Sequence, residues 1–568
     1  MQRDIDQVRD QTFDLVVIGG GIFGACAACD AAQRGLSVAL IERGDFGGAT
    51  SANSLKMIHG GIRYVQHLDI ARVRHSAAER RTFLRVAPHL VHPLPIVIPT
   101  YGHGMKGMGV LRIGMGLFDL MTVDANRGIA DRSRRIPWCK TLCRPRTLDM
   151  YPGLEEDGLT GAALFSDAQM YNPCRLVLAF LQKGIEAGAV AVNHAEVTSF
   201  LRDGRKVTGV AVRDTLTDED FPVNAKMVLN AAGPYAERLL ADASVGVTLR
   251  QKITYSRDTA FVVKRKLTHP SHAVALQGTT SDPDAKLGRG ERHMFVAPWR
   301  DDYTLLGVWH VVYNGDPAAF TVTDEELKIY LDEMNRIYPA WGLKLEDVAL
   351  CNAGLVPFGD NPEGASHAAG QNLRYGHRSH LIDHAKDHGL DNLVTLIGVR
   401  YTTGRYEAQH ALDLIERRLG RGPTPCRTAA TPVAGGDIAD VERFVADVTR
   451  REAGRLSPAV CRALVRNYGT AIEAVLAAAD ADRGLLRTLG DSTTIAAEVV
   501  HAVRHEMAVT LADVVLRRTD LATGGYPGEA VLGEVVELMA AAGGALADPA
   551  AQIAEVASRF PVWAVGGG

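Results

Sequence analysis

Three glycines, Gly19, Gly21 and Gly24, spaced G-x-G-x-x-G, constrain this chain more tightly than any other feature. They follow the apolar run Leu15-Val16-Val17-Ile18, which reads as a buried parallel strand. An alanine-rich helical run continues to Gln33, Gly35 ends it, Val38-Ala39-Leu40-Ile41 reads as a second strand, and Glu42 closes that strand. A glycine turn of this kind lets the backbone approach a pyrophosphate at the positive N-terminus of a helix. Glu42, 23 residues after Gly19, stands where an acid accepts hydrogen bonds from a ribose, and Arg43 follows it as a further candidate. Strand, turn, helix, strand and acid together predict a dinucleotide site.

After Glu42 the chain does not begin another simple βα unit. It runs through Thr50-Ser51-Ala52-Asn53-Ser54-Leu55-Lys56 and then Ile58-His59-Gly60-Gly61-Ile62-Arg63-Tyr64. Small hydroxyl residues and glycines suit a loop that approaches a cofactor closely, and FAD is expected in preference to NAD. This stretch resembles the FAD-dependent glycerol-3-phosphate dehydrogenase and oxidase family, whose pattern runs close to T-S-S-x-S-x-K-L-I-H-G-G-L-R-Y. Two later segments carry the same resemblance. Residues 227–234 read Met-Val-Leu-Asn-Ala-Ala-Gly-Pro, an apolar strand ending in N-A-x-G-P, and residues 398–405 stand where the family reads close to G-G-K-L-T-T-Y-R. The helical tail, including Ala502-Val503-Arg504-His505-Glu506-Met507-Ala508 and Leu516-Arg517-Arg518-Thr519, resembles the family's C-terminal cap domain, so the likeness runs from about residue 10 to 540.

The resemblance implies an α/β fold in which an FAD-binding Rossmann-type domain joins an antiparallel substrate-binding sheet domain and a C-terminal helical domain. The expected boundaries are 10–425 for the oxidoreductase core and 437–568 for the helical cap. FAD-binding segments fall near 10–100, 160–240 and 350–420, and substrate-binding segments near 100–160 and 245–350. It implies cofactor contacts from Thr50, Ser51, Ser54 and Lys56, from His59, Gly60 and Gly61, and from Ala231, Gly233, Gly398, Arg400 and Thr402. Val197, at the end of a strand, is expected to meet the adenine through its backbone. His59, Arg63, Tyr64, His310 and Arg400 are the candidate catalytic residues, because alcohol oxidation on a flavin needs a base for the hydroxyl proton and donors that fix the substrate. Arg400 occupies the family's lysine position and exchanges a point charge for a planar fork.

Length and composition set the remaining bounds. A chain of 568 residues calls for two or three domains. Its 46% hydrophobic and 23% charged residues are ordinary for a globular protein, and a net charge of −4 carries no nucleic-acid footprint. The eight cysteines are scattered and no signal peptide precedes the first strand, so reduced thiols and a cytoplasmic setting are expected. Cys26 and Cys29 sit inside the first helix and read as buried packing residues, and Cys139 and Cys143 lack a second pair, so no metal is expected. Residues 105–121 are Gly- and Met-rich and amphipathic; they read as a helix over the substrate domain, with peripheral contact at the inner membrane face as the sharper alternative. Residues 127–135 read as a basic solvated loop, residues 421–436 as a linker, and Val499, Val503, Met507, Leu511 and Val514 as one apolar helical stripe.

Three stretches depart from the family pattern, all in the substrate sheet. The family's phosphate-gripping arginine is Val356 here, within Gly354-Leu355-Val356-Pro357. Its Gly-Thr-Thr-Asp is Gly307-Val308-Trp309-His310, and its Lys-Gly-Ser-His-like run is Ser256-Arg257-Asp258-Thr259. His310 is then a candidate new base or donor, Trp309 a candidate wall, and Arg257 a candidate substitute cation. The expected activity is oxidation of a secondary alcohol with altered substrate choice. Its partners are a small-molecule alcohol, an electron acceptor (quinone or oxygen) and a second copy in a homodimer. Amine or amino-acid oxidation, and a flavoprotein without turnover, are the alternatives.

Overall fold

The structure, a computed structural model, describes residues 1–67, 69–102, 107–249, 253–278, 292–313, 315–358, 379–544 and 546–565. The strand Thr12–Ile18 lies at the centre of an eight-stranded sheet. Its neighbours run in the order His380–Asp383, Leu393–Ile397, Asp220–Asn230, Thr12–Ile18, Val38–Ile41, Val190–Val192. Leu15 and Val17 face one hydrophobic cluster while Val16 and Ile18 face another. Burial on both faces is why this strand is apolar throughout and not alternating. The strands Ala195–Asp203 and Lys206–Asp214 extend the sheet as an antiparallel meander leading into Asp220–Asn230.

The helix Ile22–Gln33 follows the glycine turn and is buried along nearly its whole length. Its alanines and cysteines let neighbouring helices approach closely: a Cβ at Gly184 of helix Pro173–Glu186 would stand 3.0 Å from the Cys29 Cα. Cys26 and Cys29 are free, buried thiols packed in this layer.

A second, nine-stranded sheet runs Val348–Pro357, Tyr255–Val263, Tyr303–Tyr313, Arg292–Trp299, Ala273–Gly278, Val91–Tyr101, Leu159–Met170, Met57–Ile58, with Lys140–Cys143 added to Leu159–Met170. It is antiparallel except where Ala273–Gly278 meets Val91–Tyr101. Helix Asp324–Ile337 starts at a Thr323/Glu326 capping box and packs Leu327, Tyr330, Leu331 and Met334 against one face. The other face turns toward the first sheet.

Beyond the linker the described chain is helical, with principal helices Val441–Arg451, Pro458–Tyr468, Ile472–Ala481, Ala496–His505 and Glu529–Ala541 around two cores. Two sequence expectations change here. Helix Ala496–His505 stops before Met507, whose φ is +55°, and helical structure resumes at Leu511, so the apolar stripe spans a break. Within the basic run 127–135, Arg134 is buried and pairs with Asp131 and Glu442. That residue ties the loop to the helical domain and is no part of a solvated face.

Candidate functional site

The glycine turn is shaped by contacts that exclude side chains. Gly19 has φ +100°, and a Cβ there would lie 2.8 Å from the Ala231 carbonyl oxygen, so the first and second cofactor motifs touch through backbone. A Cβ on Gly24 would fall 1.9 Å from the Gly19 carbonyl oxygen, and one on Gly21 would meet Ser51 Oγ at 3.0 Å. Ser51 Oγ accepts the Ile22 N–H at 3.0 Å, capping the helix that points at the cavity. Glu42 accepts N–H bonds from Gly20 at 2.6 Å and Gly44 at 2.8 Å. Burial pushes its carboxyl above the ordinary value, against those two donors.

The loop after Glu42 reaches the second sheet. Thr50 Oγ1 donates to the Leu355 carbonyl at 2.9 Å, and Ser54 Oγ accepts the Lys56 N–H at 3.1 Å. Lys56 is buried, donates to Asn352 Oδ1 at 3.1 Å and lies 4.8 Å from the Trp299 ring centre. Burial lowers its ammonium pKa to about 8.

His59 and Gly60 are held by a residue that the sequence reading did not single out. Asp167 accepts the Gly60 N–H at 2.6 Å and lies 3.2 Å from His59 Nδ1, and the buried Arg80 guanidinium donates to it at 3.0 Å. Burial opposes ionisation of Asp167, but His59, Arg80 and the Gly60 N–H outweigh it and hold the carboxyl below its ordinary value. A Cβ on Gly60 would fall 2.1 Å from Arg80 Nη1, so glycine alone fits there, while Gly61 has φ +87°. Thr402 Oγ1 accepts the His59 N–H at 3.1 Å, joining this loop to the third cofactor motif. Arg400 Nη1 donates to Tyr64 Oη at 2.9 Å and to Ser76 Oγ at 3.2 Å. Arg63 lies on the short helix Ile62–His67, and its side chain falls outside the described residues. At Gly398 a Cβ would overlap the Phe23 ring at 1.7 Å, which packs this turn onto the first helix.

These elements enclose a cavity of about 1560 Å3. That exceeds the roughly 300–1,000 Å3 of a pocket for one small ligand. Gly19, Gly21, Glu42, Arg43, Thr50, Ser51, Ser54, Lys56, His59, Val197, Ala231, Gly233, Gly398, Arg400 and Thr402 all stand on its wall. Gly24, Gly60, Gly61 and Tyr64, also expected at the site, are not among the lining residues. Arg43 lies 4.6 Å from the Tyr235 ring centre, at the end where Val197 stands. A glycine cradle, a helix N-terminus and a long groove of mixed polarity fit a flavin adenine dinucleotide.

The substrate face differs from expectation at three positions. The register pairs Thr259 with Trp309 and Asp258 with His310, so alternate residues face opposite sides. Trp309 turns away from the cavity and stacks between Phe261 at 5.1 Å and Tyr330 at 4.6 Å, with Nε1 bonded to Glu333 at 3.0 Å. It is core under helix Asp324–Ile337 and not a substrate wall. Arg257 points the same way, onto Glu326 and the Thr321 carbonyl, and does not stand in for the missing arginine. Asp258 lines the cavity, and His310 Nδ1 bonds to it at 2.7 Å without itself forming part of the wall. Val356 lines the cavity between Leu355 and Pro357.

Among the described residues one group has metal-ligand spacing, Asp45, His194 and Asp513. Its carboxylates are taken by Arg517 and Arg518, which place positive charge where a cation would sit.

Residues 14–380 match the FAD dependent oxidoreductase family, and residues 426–545 match the C-terminal domain of alpha-glycerophosphate oxidase. A glycerol-3-phosphate dehydrogenase of Synechocystis sp. is 30% identical over 92% of this chain and 91% of its own length. An alpha-glycerophosphate oxidase of Streptococcus pneumoniae is 28% identical over 91% of this chain and 90% of its own. The fold is that of a solved glycerol-3-phosphate dehydrogenase from Bacillus halodurans complexed with FAD, at TM-score 0.74 and 24% identity, covering 98% of this chain and 96% of that one. The glycine turn, the two returning cofactor motifs and the helical tail thus have one source: the chain belongs to the FAD-dependent oxidoreductases, in the glycerol-3-phosphate dehydrogenase and oxidase family.

Proposed function

We propose that the protein oxidises a secondary alcohol whose recognition does not depend on a dianionic phosphate at the Val356 position. When bound, FAD supplies the hydride acceptor. The protein must fix the alcohol and take its hydroxyl proton. His59 suits the second task. An ionised Asp167 accepts from Nδ1–H, which leaves Nε2 as the basic nitrogen and locks the ring. Arg400, braced by Tyr64 and Ser76, supplies a cation for the substrate oxygen.

The observation that carries the altered substrate is the cavity wall at Val356 and Asp258. Valine offers neither charge nor donor to a phosphate, and a carboxylate beside it repels one. Arg257 is committed to Glu326 on the far side of the sheet. His310, bonded to Asp258, is the second base candidate, reaching the cavity through that carboxylate. Amine oxidation is the weaker reading, since relatives aligned along nearly the whole chain are named for glycerol-3-phosphate. The test is kcat/KM for glycerol-3-phosphate beside unphosphorylated polyols, hydroxy acids and amines. A value for glycerol-3-phosphate that matches the best compound of the panel overturns the shift.

Peripheral membrane contact has support on helix Met108–Met121 and the loop after it. Ile113 is 75% exposed, Leu120 70%, Val123 66% and Trp138 63%. Arg112, Arg127, Arg132 and Arg135 are exposed around them. No helix among the described residues is long and apolar enough to cross a membrane. An apolar ridge rimmed with arginines fits the surface of an anionic bilayer and favours quinone as acceptor. Co-sedimentation with phosphatidylglycerol vesicles that survives Ile113→Glu with Leu120→Glu removes this assignment.

A further inference from the structure

The cofactor cavity is not closed by the oxidoreductase domain alone. Thr510, Ala512, Val515, Arg517 and Thr519 of the C-terminal domain form part of its wall. Within this segment Val514–Arg518 is a π-helical turn, a wide turn frequently found at functional sites. It sets two consecutive arginines against one carboxylate. Asp45 Oδ2 accepts from Arg517 Nε at 2.7 Å and from Arg518 Nη1 at 2.6 Å, and Asp45 Oδ1 accepts from Arg518 Nη2 at 2.7 Å.

Asp45 belongs to the loop that backs the glycine turn. Gly44 and Gly20 share the Glu42 carboxylate, and the Gly47 N–H donates to the Gly20 carbonyl at 2.9 Å. The two arginines are not equivalent. Arg518 spends all three nitrogens on protein, two on Asp45 and Nε on the Glu506 carbonyl at 3.0 Å, and its side chain is 1% exposed. Arg517 gives Nε to Asp45 and Nη2 to Asp513 at 2.6 Å, and its side chain is 17% exposed. Its third nitrogen, Nη1, has no hydrogen-bond partner among the described residues. Asp513 is fixed in turn by His194 Nε2 at 2.9 Å and by the Val509 and Thr510 N–H groups, each at 2.9 Å. Two buried carboxylates thus orient the guanidinium of a residue on the cavity wall and leave one of its nitrogens without a protein partner among the described residues.

We propose that Arg517 is a ligand for a phosphate oxygen of the bound dinucleotide, so that the C-terminal domain completes the cofactor site. A planar guanidinium locked by carboxylates is the group best suited to a phosphate. Arg518 is the strut that holds the turn in place, and Arg517 carries the contact. The inference rests on FAD occupying this cavity.

The test uses the full-length chain stripped of flavin, titrated calorimetrically with FAD, ADP and adenosine. Arg517→Met is expected to raise the Kd of FAD and of ADP by about 10- to 100-fold, the loss of one charged hydrogen bond, and to leave adenosine unchanged. Arg517→Lys is expected to recover part of the ADP preference. If Arg517→Met yields no folded protein, the ADP-to-adenosine preference of Arg517→Lys is read instead, and a preference equal to wild type overturns the proposal. Parallel weakening of ADP and adenosine, or an unchanged FAD Kd with a lower melting temperature, makes Arg517 a strut like Arg518 and also overturns it. A wild type that takes up no FAD removes the cofactor assignment itself, a result distinct from wild type and variant binding FAD equally.

Discussion

His59, on the wall of the cofactor cavity, and the buried Asp167 stand 108 residues apart in sequence and meet at 3.2 Å, Nδ1 to Oδ2. The same carboxylate carries the Gly60 N–H and the buried Arg80. It therefore sets both the tautomer of the candidate base and the path of the loop that presents it.

Removing that carboxylate is expected to affect stability and catalysis together. Asp167→Ala leaves Arg80 buried without its charge partner, a change that costs about 3–5 kcal/mol. Denaturant unfolding checks the stability loss. Stopped-flow flavin reduction in Asp167→Asn, which preserves the shape, checks the base: the pH profile of reduction is expected to change as well as its rate. A profile identical to wild type assigns the proton to another group, with His310 next in line.

Arg400 is expected to act on the substrate and not on cofactor retention. Arg400→Ala removes a charged hydrogen bond of about 1.5–3 kcal/mol, so kcat/KM falls roughly 10- to 150-fold while the flavin absorbance per chain is preserved. Tyr64→Phe removes only the brace on Arg400 and is expected to produce a smaller loss. Full activity in both variants places the substrate elsewhere in the cavity.

Gly24→Ala is expected to abolish FAD binding although alanine is a better helix former. The added carbon would lie 1.9 Å from the Gly19 carbonyl oxygen, and that oxygen belongs to the turn proposed to carry the dinucleotide. Gly21→Val blocks the pyrophosphate space more directly. Yellow protein with wild-type flavin content from either variant contradicts the assigned turn.

Two histidines, His89 buried and His92 half-buried, predict acid lability. Burial lowers the His89 and His92 pKa values from 6.5 to about 3. Between pH 6.5 and about 3 the unfolded chain binds protons at these positions and the folded chain does not, so stability falls as pH falls through this window. Above pH 6.5 both rings are neutral in either state and the effect vanishes. His92→Gln is expected to flatten the decline of denaturation free energy below pH 6.5; a slope equal to wild type shows that other groups govern it.

Local pattern was sufficient to read the first strand, turn, helix and strand of the molecule, and resemblance to the family carried the rest of the expected cofactor half. The glycine turn and the start of its helix are local, so the spacing of Gly19, Gly21, Gly24 and Glu42 was legible as a candidate dinucleotide turn, although the strand Thr12–Ile18 pairs with the distant Asp220–Asn230. The strand Thr12–Ile18 followed from its unbroken apolar run, and the helix Ile22–Gln33 from an alanine-rich run bounded by glycines. The glycine turn of the first segment is legible in its spacing, whereas 227–234 and 398–405 were read as cofactor segments only through their resemblance to the family.

What joins those motifs was decided only in three dimensions. Asp167 sits in the strand Leu159–Met170 with no local sign of its partners, beyond being an acid in an otherwise buried strand. Trp309 and Arg257 read as substrate contacts until strand register sent both to the far face, because neighbouring side chains on a strand point to opposite sides. Asp45 and Arg517 lie 472 residues apart and meet at 2.7 Å. Spacing along a chain reports contacts within a turn or a strand. A charge neutralised across a domain seam leaves no such period, since each partner alone is simply a polar residue whose burial the chain does not announce.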